Sequence, residues 1–67
     1  MTLGQKIYRL RTKRNLSRHK LARQIYASEQ SVKAWEKLNQ QPRLDTAVRL
    51  ARAFNISLEE FLEGVDF

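Results

Sequence analysis

Between Ser28 and Lys37 the sequence reads SEQSVKAWEK, a set of side chains suited to hydrogen-bond recognition rather than to making or breaking bonds. On a helix with Val32 turned inward, Trp35 and Glu36 fall near the core side, while Gln30, Lys33, Ala34 and Lys37 face away. Held in a DNA major groove, such a helix has the right groups for base edges. Gln30 can pair bidentately with adenine, Lys33 can reach O6 and N7 of guanine, and the Ala34 methyl can touch that of thymine. Glu29 admits two roles. It can accept from cytosine N4, or its charge can suit the positive end of its own helix.

Other chemistries find little support. No Cys–His or Ser–His–carboxylate arrangement is visible, and two glycines are too few for a phosphate-cradling loop. His19 is the lone histidine in a chain without cysteine, so neither a metal site nor a cofactor is expected. Glu59, Glu60 and Glu63 follow helical spacing and read as a solvated face or a complement to a helix dipole. These residues point away from an enzyme.

The 67 residues allow one domain, with its core over residues 3–63 and a short tail over 64–67. Lacking disulfides, it must stand on apolar packing. The net charge of +6 is unevenly placed. Residues 1–43 carry 11 basic and 2 acidic side chains, a balance of +9, and residues 44–67 carry −3. The positive half favours a polyanionic partner. No apolar run approaches a membrane span and no signal-peptide core is seen, so a cytoplasmic protein without a membrane partner is expected.

The elements that must hold these groups all read as helices. Thr2 with Gln5 forms a capping box, and Leu3, Ile7 and Leu10 share a face until Arg14-Asn15 ends the helix. Ser17 caps a second helix through Ile25, with Leu21, Ala22 and Ile25 inward, and Ser28 caps a third to about Lys37. Leu38 to Arg43 holds the only proline, Pro42, and forms a loop. Leu44, Ala47, Val48, Ala51 and Phe54 recur at helical spacing until Asn55. Ser57 with Glu60 opens a fifth helix ending at Gly64. The expected core is Ile7, Leu10, Leu21, Ala22, Ile25, Val32, Trp35, Val48, Ala51, Phe54 and Phe61. The fold class is all-α, a compact bundle of five short helices.

The second and third helices, joined by a few residues with the small Ala22 where they cross, have the spacing of a helix-turn-helix. The wider chain from Leu3 to Leu62 resembles the lambda and Cro repressor-like (Xre-type) DNA-binding domain. The stretches carrying the resemblance are GQKIYRLRTKRNLSRHKLA, ASEQSVKAWEK, Pro42 after a short loop, and LDTAVRLARAFNISLEEFL, in that order. Together they cover about nine-tenths of the chain. It departs from the family where Tyr26 replaces the turn glycine, Arg18 the usual glutamine, His19 and Lys20 the usual acidic residues, Leu38 a glycine, and Arg43 a small cap.

The resemblance implies a sequence-specific regulator of transcription that binds double-stranded DNA, with no effector segment to suggest activation and hence a repressor. It implies phosphate contacts from Ser17, Arg18 and His19, from Ser28 and Ser31, and from Lys37, Asn39, Gln40 and Arg43. It further implies an ion pair between Arg11 and Glu36 that ties the third helix to the first. A homodimer on two half-sites is expected, with Val65, Phe67 and the last helix as its seam. The competing reading is a protein-interaction or antitoxin-type module on the same fold. Positive charge and exposed polar readers coincide on the helix-turn-helix, which favours DNA.

Overall fold

Local chemistry decides where each helix starts and stops. The computed structural model describes residues 1–67 as α1 (Leu3–Lys13), α2 (Arg18–Gln24), α3 (Glu29–Lys37), α4 (Leu44–Ala53) and α5 (Leu58–Leu62), with no strand. Thr2, Ser17, Ser28 and Ser57 each accept from a backbone N–H in the first turn that follows. Thr2 with Gln5 and Ser57 with Glu60 complete reciprocal capping boxes. Only α4 starts without a side-chain cap, because Arg43 occupies that place.

Helices α1 to α4 end by a shared device. Asn15, Tyr26, Asn39 and Asn55 follow them in the left-handed conformation, at φ of 56 to 58°. After each of these, the next N–H turns back into its helix, Leu16 to the Arg11 carbonyl, Ala27 to Ala22, Gln40 to Ala34 and Ile56 to Ala51. Asparagine tolerates this conformation; tyrosine does so at a cost of about 1 kcal/mol. The Tyr26 side chain recovers nothing by packing, since it is 87% exposed.

Leu3, Ile7, Leu21, Ala22, Ile25, Val32, Trp35, Ala47, Leu50, Ala51, Phe54 and Phe61 form one buried cluster, in which the Phe54 and Phe61 rings meet at 6.1 Å. Two expected members differ. Leu10 is half-buried and leans on the cluster from outside, and Val48 is half-buried without packing on it. Leu50 takes the place assigned to Val48, and Leu44 is exposed. The reason lies in α4 itself. Its apolar residues satisfy helical spacing both as Leu44–Ala47–Val48–Ala51 and as Ala47–Leu50–Ala51–Phe54, and only the second arc lies wholly in the buried cluster with Phe61. At the proposed dimer seam, Val65 packs against the core and Phe67 stands exposed.

Two of the links that anchor α1 lie at its ends. Gly4 is buried where the first turn of α1 meets the end of α3, and a Cβ there would overlap the Trp35 carbonyl oxygen. Arg14 donates from Nη2 to the Phe54 carbonyl at 2.6 Å, its guanidinium 5.5 Å from the Phe54 ring centre. The close approach at Gly4 sets how far α3 stands from the body.

Gly4→Ala should therefore destabilise the fold by about 2 kcal/mol despite alanine's better helix propensity, whereas Tyr26→Gly should stabilise it by about 1 kcal/mol. Urea denaturation of the two variants reads both; unchanged midpoints would remove the close-approach and backbone-strain arguments respectively.

Candidate nucleic-acid interface

Burial orients α3 before any ligand is considered. Val32 and Trp35 lie inward, so Glu29, Gln30, Lys33 and Lys37 are exposed along the opposite side. Ala34 does not face fully away as expected; it is half-buried on the flank of the helix. A shallow hollow lined by Arg18, Glu29, Gln30 and Lys33 lies between the start of α2 and the exposed side of α3. Glu29 makes no ion pair with any of these cations.

The hydroxyls near the helix starts have structural duties. Ser17 Oγ accepts from the Lys20 N–H at 3.1 Å, and Ser28 Oγ from the Ser31 N–H at 3.0 Å. The Ser28 and Ser31 hydroxyls lie 2.8 Å apart and share a hydrogen bond. Ser17, His19 and Ser28 are exposed and Ser31 is half-buried. Free N–H groups at such helix starts attract anions.

Asn39, Gln40 and Arg43 are exposed in the loop before α4. Arg43 is occupied, donating to the Asp45 carboxylate from Nε at 3.3 Å and Nη2 at 3.1 Å. That bond holds the Asp45 carboxyl below its ordinary range and raises Arg43 above its own. Both groups lie in water, so the pair is one that a phosphate can displace.

The Glu36 carboxylate has the opposite setting, with its side chain only 1% exposed. Arg11 donates to it from Nε at 2.8 Å and Nη2 at 3.0 Å, and spends Nη1 on the Leu16 carbonyl at 2.9 Å. The hydrogen bond to Glu36 outweighs desolvation and raises the Arg11 pKa. Arg18 also donates from Nε to Glu36, at 3.1 Å. The expected pair is thus a triad, and Arg18 is half-buried on it rather than free in solvent. Two features escaped the sequence reading. The second arginine had no visible partner because Glu36 lies 18 residues away, and Gly4 signalled itself only as a poor helix former inside a helix.

Comparison with known proteins agrees with this geometry. Residues 7–61 match the helix-turn-helix family. The chain is 30% identical over 64 residues to the HTH-type transcriptional activator BcrR of Enterococcus faecalis. It is 34% identical to the HTH-type transcriptional regulator RP497 of Rickettsia prowazekii. Each alignment covers 96% of this chain but only 31% and 49% of those relatives. The chain thus spans less than half of their length. The P22 c2 repressor, solved with a synthetic operator, superposes with a TM-score of 0.86 at 22% identity, over 96% of this chain and 97% of that one. At that identity the likeness is one of fold.

Replacing Glu36 by glutamine leaves two guanidinium groups facing a neutral amide. Glu36→Gln should lower the unfolding free energy by about 3 kcal/mol, since breaking a buried pair strands the remaining charge. Equal denaturation midpoints for variant and parent would show that the triad is not structural.

Proposed function

The chain belongs to the lambda-repressor-like helix-turn-helix family, and from that premise we propose that it is a sequence-specific double-stranded DNA-binding regulator whose α3 enters the major groove. The observation that carries the reading is the orientation of α3. With Val32 and Trp35 buried, Gln30 and Lys33 are presented together beside Arg18 at the start of α2. Gln30 reads adenine, Lys33 reads guanine, and Ala34 meets a thymine methyl from the helix flank. Glu29 sits with them on the first turn.

Phosphates are gripped from both sides of that helix by Ser17 and His19, Ser28 and Ser31, and Lys37, Asn39, Gln40 and Arg43. Such contacts fix register without carrying sequence information. Arg43 exchanges Asp45 for a phosphate as the complex forms. One helix meets only a few base pairs, so a homodimer on two-fold related half-sites, ~34 Å apart, supplies the remaining affinity. The relative from Enterococcus faecalis is named an activator and the P22 protein a repressor. Repression is the simpler outcome for this chain, because occupying a site requires only the DNA-binding surface. No helix is long and apolar enough to cross a membrane.

Selection on random duplexes, repeated at two salt concentrations, tests the proposal. Two-fold related sequences and an affinity falling steeply with salt are expected. The absence of any selected sequence would return the protein-interaction reading, and an unrepeated site would remove the dimer. Lys33→Ala should cost about 1–3 kcal/mol at one base position, while Arg43→Ala weakens all sequences alike and lowers the salt slope by about 1. Uniform losses for Lys33→Ala would end its reading role.

A further inference from the structure

Arg18 is held differently from any other basic side chain around α3. Its Nε is committed to the Glu36 carboxylate at 3.1 Å, and neither terminal Nη has a protein partner. The side chain is 27% exposed and lines the hollow shared with Glu29, Gln30 and Lys33. Arg11 already gives Glu36 two charge-assisted bonds, so the charge of Arg18 is surplus to the triad. Pinning at Nε sets the plane of the guanidinium and leaves its terminal N–H groups as a preorganised fork. Such a fork fits either the O6 and N7 of guanine or a phosphate.

Glu29 separates those two ligands. Its carboxylate lies unpaired in the same hollow, where it would repel a phosphate held by Arg18. A G·C pair offers what the hollow lacks, two acceptors on guanine for Arg18 and an N4 donor on cytosine for Glu29. We infer that Arg18, positioned by Glu36, is a specificity-determining residue that reads the guanine of one G·C pair, with Glu29 on the paired cytosine. This rests on the proposed binding of α3 in the major groove. It takes Arg18 out of the phosphate-contacting group that the family resemblance implies.

The test compares parent, Arg18→Lys and Arg18→Gln by selection on random duplexes, then by affinity for duplexes carrying each base pair at the assigned position. Lysine keeps the charge and the Glu36 bond but loses the fork, and thermal unfolding checks that both variants fold. The parent should prefer G·C at that position by about tenfold, and Arg18→Lys should flatten the preference to within about threefold with the salt slope unchanged. Preferences at all other positions should survive in both variants. Arg18→Gln weakening every sequence alike, with the slope falling by about 1, would make Arg18 a phosphate contact and overturn the inference. A parent that selects no sequence would instead overturn the DNA-reading role itself, a result distinct from a retained consensus lacking this G·C pair.

Discussion

The Glu36 carboxylate lies where α1, α2 and α3 meet, and receives three N–H donors from two arginines at 2.8 to 3.1 Å. Taking a carboxylate out of water costs several kcal/mol unless its oxygens are satisfied, and here every donor comes from a different helix than Glu36 itself. The result is positional. Val32 and Trp35 bury one side of α3, but apolar packing is non-directional and tolerates rotation or sliding. The bidentate Arg11 bond and the close approach at Gly4 fix the angle and distance at which α3 stands from the body.

The same interaction redistributes the charge. Within the basic first 43 residues, Lys6, Arg11, Arg14 and Arg18 are tied to carbonyls or to Glu36, and Arg43 to Asp45. They shape the protein as much as its field. Of the cations beside the exposed side of α3, Lys33 and Lys37 have no acidic partner. The +9 balance of this half therefore overstates the freely mobile positive charge, while placing part of it with fixed geometry.

Much of the fold was legible because it is encoded locally. Thr2 with Gln5, Ser17, Ser28 and Ser57 with Glu60 mark helix starts through bonds spanning three residues, and Asn15 and Asn55 mark ends through their tolerance of positive φ. What escaped was non-local. Whether α4 buries Val48 or Leu50 depends on where Phe61 lies, and the apolar spacing of α4 alone fits both. Gly4 is explained by the Trp35 carbonyl opposite it, and Arg14 by the Phe54 carbonyl 40 residues away. On α3, the outward placement of Gln30 and Lys33 follows from helical period, whereas Ala34, at the edge of the wheel, lies half-buried. The Arg11–Glu36 pairing came from family resemblance; that Arg18 shares the carboxylate required the packed structure.

A rigidly seated α3, with the start of α2 beside it, is the surface proposed to meet DNA. Amide NMR of the full chain titrated with a selected duplex tests it most directly, since each residue reports separately. The largest shifts should fall on residues 17–20, 28–34 and 37–43, with the amides of α5 unmoved. Shifts concentrated on α5 and the C-terminal tail, or none at saturating duplex, would show that α3 is not that surface.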